Sequence, residues 1–452
     1  MDYSEAVRYL ESFVNHETGL AYPYKESFKL GRIQEFLQQI GNPHVDLRSI
    51  HVAGTKGKGS TCAFITYILR EAGFSVGLYT SPHLADCRER IRILSARSCC
   101  ATCPEFEGMI SPEALADLVE RLRPTIDTYN RDSSWGPLTF FEIYTALAFL
   151  FFKEQNVDWA VLETGLGGRL DATNVVDAFA SVITPISYEH SQQLGGTLTA
   201  IATEKAGIIK APGSIVISAP QEEEAREVIR SACQNAQALL WEVGRDIVGE
   251  RTKTGFCIRG ILREYEDLQI PLAGKHQLIN AATAVGAVEA LSKKGFAIDP
   301  GAVKEGIAGT LWPGRCEVVS RHPMVILDGA QNSASARALR ETLQEEFSCG
   351  KFMLVFGISR DKDIEGVCRE LSPCADVVIL TRSQNPRAAD PQELAGNFSS
   401  AKVYITGNIR EAKEKLSTLA GDGDTAVVCG SLFVAGEMRQ LFQEKACDEA
   451  RF

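Results

Sequence analysis

The chain has 452 residues, more than one compact core of ordinary size holds and enough for roughly two or three domains. An apolar share of 45% and a charged share of 23% exclude a disordered polymer; a net charge of −11 argues against a general binder of nucleic acid or of anionic membrane. Thirteen cysteines, an odd number spread along a long chain, point to reduced thiols and a cytoplasmic location. The apolar run closest to membrane-spanning length, Ile143 to Phe152, stops at Lys153, and the start MDYSEAVRYLESF lacks the basic-then-apolar pattern of a secretory signal.

Apolar β-rich runs alternate with helical patterns, which predicts an α/β fold of parallel sheets covered by helices. Ser49 to Ala53 reads as a strand, followed by a glycine loop, a helix over Lys58 to Ala72 and a strand over Val76 to Thr80. Helices are predicted over Pro112 to Tyr129, Phe140 to Lys153, Thr197 to Ala206 and Gln221 to Ala236. Strands are predicted at Trp159 to Glu163, Ser181 to Thr184 and Ile215 to Ser218. Ile247 to Ile270 changes to short alternating segments, an antiparallel excursion, before a long helix over His276 to Lys294. Gly and Pro cluster in Gly306 to Arg315, which suits a linker. A second β/α series follows, with strands at Met324 to Leu327, Phe352 to Phe356, Val377 to Thr381, Val403 to Thr406 and Ala426 to Cys429. The expected domains are therefore 1–311 and 312–452, with the Cys-rich stretch Ser98 to Met109 as an insertion.

The segment His51 to Ser60, HVAGTKGKGS, follows a strand and opens a helix. Backbone N–H groups of such a loop cradle phosphate oxygens beside a positive helix terminus, Lys58 offsets phosphate charge, and Ser60 supports the phosphates or their metal. The strict P-loop pattern is not met, because Val52 stands at its first glycine and Gly59 follows the lysine. A tight turn that binds nothing is the plain alternative. Lys56 and Lys58 count against it, since they repel unless an anion sits between them.

Other polar groups fall at predicted carboxyl ends of strands, where open α/β sheets bind ligands. Ser81 lies in Thr80-Ser81-Pro82-His83, Glu163 closes a strand, and Glu189-His190 follows another. A hydroxyl, a carboxylate and an imidazole together can hold a magnesium ion that keeps its waters and touches phosphates. Singly, each has an ordinary reading as a loop or strand-end residue, and Lys205 alone reads as a solvated helix lysine. Cys100-x-x-Cys103 has no partner pair, so zinc is not expected.

In order along the chain stand GTKGKGS, SPHL (Ser81 to Leu84), ETGLGGRLDATN (Glu163 to Asn174), EKAGIIK (Glu204 to Lys210), WPGR (Trp312 to Arg315), LDGAQN (Leu327 to Asn332) and GSLFVAGEMR (Gly430 to Arg439). Together they resemble the folylpolyglutamate synthase/dihydrofolate synthase family of ATP-dependent Mur-type ligases, from about Lys29 to Arg439. The resemblance implies a P-loop N-terminal domain with a parallel sheet and a smaller Rossmann-like C-terminal domain, with ATP between them. It implies that the loop of Gly54, Thr55, Lys56, Gly57, Lys58, Gly59 and Ser60 holds the phosphates, joined by Asn280, Arg315 and Asp328. Ser81, Glu163 and His190 match the magnesium ligands. Lys205 matches a lysine carbamylated in this family, and Lys58, His190 and Lys205 carry the catalytic expectation. Thr139, Leu170, Asp171 and Ala172 match the pteridine pocket. The implied substrates are ATP, L-glutamate and a folate or dihydropteroate, with Mg2+ as cofactor and no nucleic acid, no membrane and no second copy of the chain as partner.

Three residues depart from the family pattern: Lys56 where Asn is usual, Glu189 where Asp is usual, and Gln331 where His is common. Gln331 cannot titrate, so a role needing imidazole charge there is lost. Two other functions stay open on sequence: a sibling ligase acting on a different carboxylate, and a nucleotide-binding protein without turnover.

Overall fold

The computed structural model of the chain describes residues 1–17, 27–96, 106–189 and 191–449; His190 and most of the Cys-rich stretch, Cys100 and Cys103 included, lie outside them. A first sheet contains β1 (Ser49–Ala53), β2 (Val76–Tyr79), β3 (Ile91–Leu94), β4 (Trp159–Glu163), β5 (Ala180–Ile183), β6 (Ile215–Ser218) and β7 (Leu239–Glu242). Its seven strands run in the order β3-β2-β4-β1-β5-β6-β7, all parallel except β3, which lies antiparallel on β2.

The inner strands are buried along their whole length, because helices cover both faces. Alternation along β4 shows how. Val161 packs into a core with the Lys58–Glu71 and Lys275–Lys293 helices, whereas Ala160 and Leu162 face the Pro112–Asp132 and Phe140–Glu154 helices. Beyond β1, a third cluster seats the Leu198–Ala206 and Glu223–Ala236 helices on Ile183 and Val216.

The antiparallel excursion is present as β8 (Val248–Arg251), β9 (Phe256–Arg259) and β10 (Glu264–Leu268). The second series forms a six-stranded sheet of β11 (Glu317–Arg321), β12 (Met324–Leu327), β13 (Phe352–Phe356), β14 (Ala375–Leu380), β15 (Lys402–Ile405) and β16 (Thr425–Cys429). Its order is β11-β12-β16-β13-β14-β15, with only β11 antiparallel.

Two expectations need correction. The stretch Gly306 to Arg315 is not all linker: Gly306 to Ala308 complete a Pro300–Ala308 helix. A Cβ on Gly306 would overlap the Ile68 backbone, so glycine here serves close helix–helix approach rather than a turn. The edge strands β3 and β11 are antiparallel and, like β7, were not foreseen. Each carries charged residues (Arg92, Glu317, Glu242) that hide the apolar signal of a strand.

Leu84 of the SPHL segment leaves the first unit and is buried in the core of the second, among Val325, Leu327 and Val434. There the Gly436 position approaches the Leu84 carbonyl so closely that a Cβ would not fit.

Candidate active site

Parallel strands β1, β4, β5 and β2 all end at one edge of the first sheet, and the candidate residues gather there. The glycine loop turns out of β1 through Gly54, at φ +146°, where a Cβ would overlap the Thr184 side chain. Gly57, at φ +81°, caps the Lys58–Glu71 helix, and a Cβ there would strike the Asn280 carboxamide. The loop is strapped from outside. Thr55 N and Lys56 N both donate to Pro185 O, at 3.0 and 3.1 Å, and Ser187 N donates to Thr55 Oγ1 at 3.1 Å. Those two amides are therefore committed within the protein. The amides without intrahelical acceptors are those of Lys58, Gly59 and Ser60, at the positive end of the helix.

Each lysine of the site has its own partner. Lys56 Nζ donates to Glu189 Oε2 at 3.0 Å, Lys58 Nζ lies 3.8 Å from Glu163 Oε1, and Lys205 Nζ donates to Gly54 O at 2.6 Å. Lys56 and Lys58 thus do not share one anion: each is paired with a carboxylate of its own, Glu189 and Glu163. Lys205 is buried, not solvated. Burial first, and then the charge of Lys58, push its pKa down to about 7. Burial pushes the Glu163 carboxyl up, against the opposing pull of Lys58 and the Ser81 amide that donates to it at 3.2 Å.

The motifs around Lys205 hold one another. A Thr197 cap starts its helix. Gly168 lies so close to the carbonyls of Glu204 and Lys205 that no side chain would fit. Arg169 N donates to Glu204 O at 2.7 Å, and its guanidinium pairs with the Glu204 carboxylate at 2.7 Å. Asn174 Nδ2 donates to Gly207 O at 3.1 Å. The ETGLGGRLDATN loop is thus a cradle for EKAGIIK.

The expected pteridine-side residues have internal partners. The buried Asp171 carboxylate accepts from Leu166 N, Thr173 N and Thr173 Oγ1, which shapes the same loop. Leu170 is half-buried against the Ile201 cluster, and Ala172 is buried. Thr139 caps the Phe140–Glu154 helix in a capping box with Glu142, whose carboxylate also takes both oxygens to Arg32 Nε at 2.8 and 2.9 Å.

Two clefts open at the glycine loop. One, of about 290 Å³, is lined by Gly54, Lys58, Gly165, Glu189 and Lys205. The other, of about 520 Å³, lies between the two units and is lined by Gly59, Ser81, Glu163, Trp312, Arg315 and Leu432. Arg315 Nη1 donates to Gly314 O at 3.1 Å. The Asp328 carboxylate accepts from Cys316 N and Ala330 N, at 3.0 and 2.8 Å, and so fixes the turn that carries Arg315. Asn280 Nδ2 donates to Gln277 Oε1 while its oxygen covers Gly57. Sequence reasoning missed Trp312, which packs on Gly59, and the reach of Leu84; WPGR and SPHL were the available signals.

The donor set fits a hard cation. The Ser81 hydroxyl and the buried Glu163 carboxylate line one cleft, and a carboxyl strained by burial gains from a cation beside it. Among the described residues no group of three His, Cys, Asp or Glu side chains is placed to hold a metal. His190, the third expected ligand, lies outside the described residues.

Comparison with known proteins gives matches along nearly the whole chain. The Mur ligase middle domain matches residues 121–288, and the Mur ligase glutamate ligase domain matches residues 314–432. The Bacillus subtilis dihydrofolate synthase/folylpolyglutamate synthase is 34% identical over 419 residues, covering 91% of this chain and 94% of that one. The structure of Mycobacterium tuberculosis folylpolyglutamate synthase complexed with ADP superposes with a TM-score of 0.85 at 32% identity, over 98% of this chain and 99% of the other. The Escherichia coli FolC in complex with DHPP and ADP gives 0.84 at 29% identity, over 99% of each. With identity of this level sustained along nearly the full length, the chain belongs to the folylpolyglutamate synthase/dihydrofolate synthase family of the Mur ligase superfamily.

Proposed function

We propose that the protein is an ATP-dependent ligase that adds L-glutamate to the carboxylate of a folate and, as its dual-named relatives suggest, also to dihydropteroate. The observation that carries the reading is the meeting of Lys58, Lys205 and Glu163 at a strapped glycine loop, with Gly59 and Glu163 lining a cleft between two α/β units.

The chemistry sets a repulsion problem. A substrate carboxylate oxygen attacks the γ-phosphorus of ATP, the bond to the β-phosphate oxygen breaks, and ADP leaves an acyl phosphate. The glutamate amine then attacks the acyl carbon, loses a proton and expels inorganic phosphate as the amide forms. Lys58 and the amides of Lys58, Gly59 and Ser60 are placed to offset the charge of the transferring group. Ser81 and Glu163, with His190, would hold Mg2+, which supplies charge neutralisation on the phosphates. Lys56 extends the loop, and Arg315 and Asp328 bring the second unit to the nucleotide, with Asn280 supporting Gly57. Closure over the cleft excludes water from an acyl phosphate that hydrolyses when exposed. Lys205 acts as a carbamate in this reading: the buried amine with its low pKa is neutral often enough to add CO2, and the product is an anion facing the loop. Thr139, Leu170, Asp171 and Ala172 shape the pteridine side, through the loop and helix cap they organise.

The same reading assigns residues 1–311 to the nucleotide-binding and catalytic domain and 312–452 to the glutamate ligase domain, supported by the separate sheets and by the second family match from residue 314. It takes the protein to act as a monomer in the cytoplasm; no helix among the described residues is long and apolar enough to cross a membrane, and the nine cysteines from Cys62 to Cys429 whose side chains are described are free thiols.

The test is incubation with magnesium-ATP, glutamate and either dihydropteroate or tetrahydrofolate, following ADP and pterin mass together. A product heavier by one glutamate residue supports the reading, and gain on both substrates supports two activities. ADP release dependent on a different acid would overturn the folate assignment, and nucleotide binding without turnover would overturn the ligase.

A further inference from the structure

Two of the three departures from the family pattern touch, and the third is next in sequence to a residue that reaches them. Lys56, on the phosphate loop, is paired with Glu189, on the loop after β5, through Oε2 at 3.0 Å. The other oxygen of Glu189, Oε1, receives the Asn332 side-chain amide at 3.5 Å, the outer limit of a hydrogen bond. Asn332 belongs to the second unit and immediately follows Gln331, the third departure.

The orientation of Asn332 is built in. It caps the Ser333–Glu346 helix, with Oδ1 accepting from Ser335 N at 2.9 Å, so its Nδ2 is turned toward Glu189. The charge of Lys362, also from the second unit, acts on Lys56 as well. Glu189 thus stands among groups from both units, one oxygen to the phosphate loop and one to the cap of the opposite helix.

We propose that Glu189 is a positioning residue that couples the phosphate loop to closure of the C-terminal unit, through Lys56 on one side and Asn332 on the other. This rests on the ligase reading above. Nucleotide that shifts Lys56 moves Glu189, and the 3.5 Å contact to Asn332 tightens or opens with it. In the working enzyme this link keeps water out while the acyl phosphate awaits the amine.

The experiment uses the full-length protein and compares wild type with Asn332→Asp, Glu189→Gln and the double variant. Asp is as good a helix cap as Asn, so Asn332→Asp keeps the helix while turning a donor into an acceptor against Glu189. ADP and glutamylated pterin are counted together, and thermal melting confirms folding. Wild type is expected to release one ADP per amide formed. Asn332→Asp and Glu189→Gln are expected to form amide about tenfold more slowly and to release excess ADP, as acyl phosphate is lost to water. The double variant re-forms the contact with donor and acceptor exchanged, and is expected to regain tight stoichiometry. One ADP per amide in both single variants, or losses in the double variant that equal the product of the singles, would overturn the coupling. A wild type that forms no amide would overturn the ligase reading instead.

Discussion

Lys205 Nζ donates to the carbonyl oxygen of Gly54 at 2.6 Å, across 151 positions of sequence. The contact binds the most distinctive helix motif of the chain to the first glycine of its glycine loop. It also fixes where a carbamate would sit, beside Lys58 and facing Glu189.

A pH prediction follows from that burial. The folded pKa of Lys205 is about 7, below its usual 10.5, so the amine is charged below neutrality and mostly neutral above it. Only the neutral amine adds CO2, so ligase activity is expected to rise from pH 6 to 8 and to depend on bicarbonate. The linkage sign is the same: the unfolded chain binds this proton up to 10.5, so Lys205 makes stability increase between about 7 and 10.5. Lys205→Arg is expected to lose both activity and its bicarbonate response. Full wild-type activity in CO2-depleted buffer would contradict the carbamate.

Arg32 and Glu142 give a stability prediction. Their side chains are 8% and 7% exposed, and Glu142 also completes the Thr139 cap. Arg32→Ala strands a buried carboxylate, and a loss of about 3–5 kcal/mol is expected in denaturant unfolding. Replacing both residues with Leu should cost less than Arg32→Ala alone, since no charge is then left unpaired.

Glycine substitutions separate loop shape from general strain. Gly54→Ala meets the Thr184 side chain at a positive φ, whereas Gly136→Ala, at φ +86°, meets nothing within 4 Å. Gly136→Ala is expected to cost about 1 kcal/mol of stability and leave ADP binding unchanged. Gly54→Ala is expected to abolish ADP binding in calorimetric titration, because β1 and β5 cannot part without moving the loop.

These sites differ in how far the sequence reveals them. The strand–loop–helix of β1 and the Lys58–Glu71 helix is legible because apolar run, glycine loop and a second apolar run of helical length succeed one another without interruption. The order of the inner strands' neighbours is not legible, since pairing of β1 with β4 and β5 is set by packing far along the chain. Lys205 shows the same limit: its own helix reads as ordinary, and only the cradle of Gly168 and Arg169 buries it. Resemblance puts Thr139 on the substrate side, whereas the Thr139-x-x-Glu142 spacing spells the capping box that the helix uses. The Lys56–Glu189 pair is visible only in three dimensions, because 133 positions separate its members.

Arg315 lines the cleft between the units with Ser81 and Glu163, and its turn is fixed by Asp328. Arg315→Ala is expected to lower kcat by about 100-fold with little change in melting temperature, because it removes the charge proposed to meet the phosphates during transfer. Asp328→Ala leaves two backbone amides unsatisfied and should lower both melting temperature and kcat. Unchanged kinetics in Arg315→Ala would argue against dependence of turnover on the second unit.

Leu84 tests the junction itself. It belongs by chain to the first unit, three residues after Ser81, yet its side chain is buried in the core of the second. Leu84→Ala removes that anchor, and the lost burial and cavity together should cost about 2–5 kcal/mol of docking or stability. If the residue fixes how the units meet, amide formation falls and proteolysis near residue 312 accelerates, while ADP binding to the glycine loop persists. Leu84→Met, which keeps volume and apolarity, should preserve both behaviours. Equal loss of ADP binding and amide formation in Leu84→Ala would mean that the side chain supports the first unit's fold instead of the contact between the two.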